Sequence, residues 1–192
     1  MGELSSLNLE VTACQKCNLS ITRKNAVPGT GPFDSKVIFV GEAPGRSEDE
    51  AGKPFVGTAG KILTEALEYA GFDRSGVYIT NVVKCRPPNN RRPLKEEKTS
   101  CSNYLEKELE IIKPRIICVL GNTAYGSLLD GNEITKNRGK MIRKGTQWYF
   151  ITIHPAAVIY NPELKQVLKD DLKLLAQKLN ESKTSEFHEA SS

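Results

Sequence analysis

The stretch Thr80 to Arg92 reads TNVVKCRPPNNRR, and it decides how the rest of the chain is read. It closes a continuous apolar run, Val77 to Val83, of the kind that forms a strand buried on both faces. Asn81 places a lone amide near the end of that strand, Cys85 follows four residues later, and Arg86, Arg91 and Arg92 stand in a proline-rich loop. A polar reader, a candidate metal ligand and a cationic loop thus share one short segment.

Working outward, three further apolar runs end in the same way. Val37 to Val40 ends at Gly41-Glu42-Ala43-Pro44-Gly45, Ile116 to Leu120 at Gly121-Asn122, and Trp148 to Ile153 at His154-Pro155. Helical patterns lie between them. One has Ile62, Leu63, Ala66, Leu67 and Ala70 on one face, one runs from Pro93 to about Ile112, and one opens at Asn161-Pro162-Glu163 and continues to Leu179. A short hairpin through Met141 and Gln147 fits the segment before the last strand. Apolar strands alternating with helices predict an α/β fold, a three-layer αβα sandwich around a central, mostly parallel four-stranded sheet. Residues 1–180 read as a single domain and 181–192 as a disordered tail. Ligands of such sheets bind at the carboxyl ends of the strands, which is where Glu42, Asn81 and His154 fall.

Composition narrows the classes. A chain of 192 residues with 39% apolar residues suits one soluble domain. No apolar run reaches the roughly 18 residues of a membrane span, and the start lacks a signal-peptide pattern, so a cytoplasmic protein without membrane association is expected. The start MGELSS matches a myristoylation pattern too short to carry weight. The net charge of +4 is modest, but Lys84, Arg86, Arg91, Arg92, Lys95 and Lys98 cluster, as do Lys136, Arg138, Lys140, Arg143 and Lys144. Each cluster reads either as a solvated face or as part of a phosphate track.

Five cysteines, an odd number in a chain read as cytosolic, argue against a disulfide framework. Cys14-x2-Cys17, with Cys85 and Cys101, offers four thiolates for zinc or for an iron–sulfur cluster, whereas Cys118 sits mid-strand as an inert buried thiol. Gly57 to Lys61 resembles a P-loop only superficially, because Phe55 occupies the position of the first glycine. Gly29-Thr30-Gly31 precedes a strand instead of following one, which rules out a Rossmann fingerprint. Phe55 reads as a stacking platform for a base or as a core anchor for its loop. Asn81 has the donors and acceptor to read an imide edge, and His154 could stabilise charge on a leaving group. Glu42 could orient water or merely cap a turn.

With these residues in place, the chain resembles the family 4 uracil-DNA glycosylases over about Cys14 to Leu179. The carrying motifs are GEAPG followed by RSEDEAGKPFVG, then NVVKCRPPNNR, then HPA at 154–156, with the four cysteines. The resemblance implies a DNA-repair hydrolase that flips uracil out of DNA and cleaves its N-glycosidic bond. It implies a [4Fe–4S] cluster of structural role on Cys14, Cys17, Cys85 and Cys101. It implies stacking of uracil on Phe55, a pocket lined by Gly41, Glu42 and Ala43, recognition by Asn81, and donation by His154 as the bond breaks. Ala43 stands where many relatives carry a water-activating aspartate, which leaves Glu42 to aid the water or the sugar cation. Arg86, Asn90 and Arg91 are expected at the DNA backbone, and one of Val158, Ile159 and Tyr160 is expected to fill the stack left by the base. Uracil-containing DNA, single- or double-stranded, is the expected partner of a monomer, with a replication clamp as a candidate through the tail. The alternative is a non-catalytic iron–sulfur or zinc module that binds nucleic acid.

Overall fold

The computed structural model describes residues 2–189. Its strands are β1 (Val37–Gly41), β2 (Tyr78–Asn81), β3 (Ile116–Leu120), β4 (Met141–Lys144) and β5 (Gln147–Thr152). Its α-helices are α1 (Glu3–Thr12), α2 (Leu19–Thr22), α3 (Arg46–Ala51), α4 (Thr58–Tyr69), α5 (Lys95–Ile112), α6 (Gly121–Leu129), α7 (Ile134–Asn137), α8 (Ala157–Tyr160) and α9 (Leu164–Glu189).

The strands form one sheet in the order β2-β1-β3-β5-β4. The four apolar runs pair in parallel, and β4 adds a fifth, antiparallel edge strand against β5. The expected count of four is corrected to five because Met141-Ile142-Arg143-Lys144 is short and half exposed, without the apolar run that marks a buried strand. Side chains alternate across the sheet. Ile38, Val40, Tyr78, Ile117, Val119 and Ile151 face α1, α5 and α6, while Val37, Phe39, Ile79, Ile116, Leu120 and Phe150 face α4, α8 and α9. This is the three-layer sandwich. Cys118, inert as expected, is fully buried in the second layer and burial raises its thiol pKa.

The chain leaves β1 to one side for β2 and returns on the other side for β3, so strand order reverses between β1 and β3. That reversal opens a crevice at the carboxyl ends of the strands. The free edge of β2 is covered by the connection before β1, where Thr30 and Ile79 exchange backbone hydrogen bonds of 2.9 Å in both directions. Gly31, at φ +143, allows that approach, since a Cβ would meet the Tyr78 backbone at 2.6 Å.

Beneath the end of β2 lies a buried polar network. The Lys84 ammonium, 1% exposed, donates to Glu108 Oε2 at 2.7 Å, Thr80 Oγ1 at 2.6 Å and the Asn81 carbonyl at 2.9 Å. Glu108, with no exposure, also accepts from Gly29 N, Tyr78 Oη and Thr80 Oγ1. Lys84 therefore leaves the proposed phosphate track, because its charge is consumed inside the protein. The expected tail also differs: α9 runs to Glu189, since residues 181–189 contain no Gly or Pro to end it, and 190–192 lie outside the described residues. Among the described residues, no helix is long and apolar enough to cross a membrane.

Removing one charge of this network leaves the other buried and unpaired. Glu108→Gln is expected to cost about 3–5 kcal/mol, read as a lowered urea midpoint.

Candidate active site and cysteine centre

The carboxyl ends of β1, β2 and β5 open into one cleft with a volume of about 640 Å³. Glu42, Ala43, Phe55, Asn81 and His154 line it. Gly41 lies directly behind. A Cβ there would come within 2.5 Å of Asn81 Oδ1 and 2.6 Å of the Phe55 ring, so only glycine lets the amide and the ring approach the same point.

Asn81 is 2% exposed, and its Oδ1 is buried without a hydrogen-bond partner. On the opposite strand end, the Ala156 N–H donates to His154 Nδ1 at 3.1 Å. A neutral ring that accepts at Nδ1 carries its proton on Nε2, and Nε2 is also buried with no partner. Burial lowers the His154 pKa to about 4, so the ring is neutral at physiological pH. Gly121, at φ +85, lets the start of α6 pack on this histidine, since a Cβ would stand 2.8 Å from His154 Cβ. One acceptor and one donor thus line the cleft without a protein partner, available to a ligand.

Phe55 combines both roles read from the sequence. It is 4% exposed within the core layer of α4, yet its ring lines the cleft, 5.7 Å from the His154 ring centroid at a 32° tilt. Its φ of 53° is left-handed, a strained conformation for an aromatic residue. Glu42 Oε2 accepts from Thr123 Oγ1 of α6, and Oε1 has no protein partner among the described residues. Glu48 is a brace: its carboxylate accepts from Gly45 N at 3.1 Å, Val56 N at 2.9 Å and Gly57 N at 2.7 Å, tying the two loops of the cleft together.

The rim is polar and cationic. Asn90, Arg91 and Arg92 line the cleft, while Arg86 stands behind them and donates to Asn90 Oδ1 at 2.7 Å. Asn89 and Asn90 hold φ of 54° and 53°, which turns this loop sharply. Arg91 is forked onto Glu97 at 2.9 and 2.6 Å, so part of its charge is neutralised, and Arg92 is exposed. Across the cleft, Ile159 and Tyr160 are 47% and 89% exposed. Val158, expected among the DNA-facing residues, is instead 6% exposed in the core, because α8 turns that side chain toward the sheet. The second basic cluster is a solvated face: Lys136 pairs with Glu133, Arg138 with the buried Asp171, Lys144 with Asp130, and Arg143 lies over the Trp148 ring. Thr123 had no signal in sequence, since its partner is 81 residues away.

Cys14, Cys17, Cys85 and Cys101 line a single small cavity between α1, the loop after β2, and α5. Among the described residues no three His, Cys, Asp or Glu side chains are grouped closely enough to hold a metal ion. The donors to the thiols fit thiolate sulfur. Arg23 Nη1 donates to Cys85 Sγ at 2.9 Å, Lys84 N to Cys101 Sγ at 3.3 Å and Lys16 N to Cys14 Sγ at 3.5 Å. Burial pushes the Cys101 thiol up to about 11 and raises Cys85 against the opposing pull of Arg23. Such thiols ionise only when a cationic ligand compensates them.

The fold and cleft define an α/β protein with a polar cleft at a sheet switch point, beneath a cationic rim. The family model of the uracil DNA glycosylase superfamily matches residues 28–176, and the chain belongs to that superfamily. It is 46% identical over 187 residues to the Type-4 uracil-DNA glycosylase of Sulfurisphaera tokodaii, covering 92% of this chain and 85% of that one. To the Type-4 enzyme of Archaeoglobus fulgidus it is 45% identical, with 92% and 94% covered, and to that of Saccharolobus solfataricus 45%, with 94% and 88% covered.

The histidine assignment has a measurable sign. An unfolded histidine titrates near about 6.5, whereas folded His154 titrates at about 4. The unfolded chain therefore binds the extra proton in this window, and the contribution of His154 to stability, full above about 6.5, is lost as pH falls toward about 4. Urea midpoints across that window should decline less in His154→Gln than in the parent chain.

Proposed function

We propose that this protein flips uracil out of DNA and hydrolyses its N-glycosidic bond, releasing free uracil and leaving an abasic site. The observation that carries the reading is the pair of unsatisfied buried atoms in one cleft, Asn81 Oδ1 and His154 Nε2. Uracil presents an imide N–H beside carbonyl oxygens and satisfies both. Cytosine lacks that N–H, so its N3 lone pair faces Asn81 Oδ1, and it places an amine donor where uracil offers a carbonyl to the Asn81 NH2; the Asn81 amide therefore opposes it. Membership of the superfamily and the named Type-4 relatives support the same reaction class.

Extrusion of the base costs a few kcal/mol. Stacking on Phe55, worth ~1–3 kcal/mol, and contacts of the rim offset it. Asn90, Arg91 and Arg92, with Arg86 buttressing Asn90, meet the phosphates. Ile159 and Tyr160 are the side chains free to enter the gap left by the base, Val158 being committed to the core. As the glycosidic bond breaks, the base gathers negative charge, and the neutral His154 donates Nε2–H to its O2. A neutral imidazole keeps that proton matched to a weakly basic leaving group and retains Nδ1 as acceptor for Ala156 N–H. With Ala43 in place of a carboxylate, water activation rests on Glu42. Thr123 occupies Oε2, and Oε1 is left for the attacking water or the sugar cation.

The thiols of Cys14, Cys17, Cys85 and Cys101 would hold a [4Fe–4S] cluster. When bound, such a cluster supplies a structural crosslink among the N-terminal segment, the loop after β2 and α5. Cys85 lies four residues after Asn81, so the anchor acts on the loop that carries the reader and the rim arginines.

Uracil-containing single-stranded DNA, incubated with the protein and then treated with alkali, should be cut at the uracil. Absence of cleavage alongside retained DNA binding would favour a non-catalytic module. His154→Ala should lower the single-turnover rate by about 10²–10³, and Glu42→Gln should also slow it. Iron analysis should give about four irons per chain. Cys85→Ala should lose that iron and reduce folding or DNA binding more than the excision rate per bound complex.

A further inference from the structure

Phe55 is held in its left-handed conformation from behind by one guanidinium. Arg74, in the turn between α4 and β2, donates from Nη2 to the Phe55 carbonyl at 2.8 Å and the Pro54 carbonyl at 3.5 Å. Its Nη1 donates to Thr64 Oγ1 at 2.8 Å and the Gly60 carbonyl at 3.4 Å. Among the described residues these partners are carbonyl and hydroxyl oxygens with no carboxylate, and burial lowers the pKa of Arg74. A half-buried cation is costly, and here its compensation comes from oxygens of the Phe55 loop and the first turns of α4. Gly60 completes the clamp, because a Cβ there would overlap the Phe55 carbonyl. Glu48 holds the following N–H groups, Val56 and Gly57, from the other side. The strained backbone is therefore fixed at its carbonyl and at the next two amides, and the ring projects into the cleft opposite His154.

We infer that Arg74 is a positioning residue for base recognition, acting through Phe55 by pinning the strained loop that presents its ring. The inference rests on the reading that uracil stacks on Phe55, and it adds a residue that touches neither base nor DNA. Free to relax, residue 55 would leave φ of 53° for the β or right-handed region, and the ring would leave the cleft wall.

The test is a double-mutant cycle read as the inhibition constant of free uracil against excision, with thermal melts to establish folding. Phe55→Ala alone should weaken uracil about 5- to 150-fold, the range of a base stack. Arg74→Met alone should weaken it about tenfold or more within that range, and Arg74→Lys, which restores a single point donor, by less. In the Phe55→Ala background, Arg74→Met should change the constant by less than about twofold. Equal losses in both backgrounds, or no loss from Arg74→Met in the parent chain, would overturn the inference while leaving the stacking role intact. An unchanged constant in Phe55→Ala would overturn the stacking role and this inference together. If Arg74→Met does not fold, the cycle is run with Arg74→Lys and judged by the same coupling.

Discussion

A lysine and a glutamate without access to water set the position of everything at the end of β2. Lys84 sits after the strand, Glu108 on α5, and the ammonium also holds the Asn81 carbonyl and the Thr80 hydroxyl. Because both charges are buried, any shift of α5 against the sheet would separate them in a medium that solvates neither. The pair therefore converts helix packing into a fixed location for the Asn81 amide. Glu108 extends the constraint to Gly29, so the segment that covers the β2 edge is bound to the same point.

That frame carries the less stable features of the cleft. Phe55, Asn89 and Asn90 are left-handed, and Asn81 Oδ1 and His154 Nε2 are buried without partners. Each costs free energy, and two of them are braced from behind, Phe55 by Arg74 and Glu48 and His154 by the Ala156 N–H, as Glu42 is by Thr123. In the proposed reading, a ring with the complementary edge recovers that cost, as a preorganised site does.

Charge is distributed less simply than the run of basic residues implies. Lys84 is consumed by Glu108, Arg91 is shared with Glu97, and the cluster from Lys136 to Lys144 is largely spent on neighbouring acids, on Trp148 and on backbone oxygens. What remains at the mouth of the cleft is a narrow set, Arg92 and part of Arg91, with Arg86 behind them. Under the proposed function, this narrow set would hold a phosphate chain beside one pocket.

The four parallel strands, the helices between them and the clustering of Glu42, Asn81 and His154 at strand ends were determined by the sequence itself, because apolar periodicity and residue chemistry are local properties. So was the pairing of Cys14-x2-Cys17 with Cys85 and Cys101 as a candidate ligand set. The tertiary structure alone decided that Lys84 faces inward and that Val158 packs in the core while Ile159 and Tyr160 stay exposed. It alone brought Thr123 to Glu42 and Arg74 to Phe55. Those contacts join residues far apart in the chain, and no local pattern encodes which of several similar side chains meets a partner across the fold.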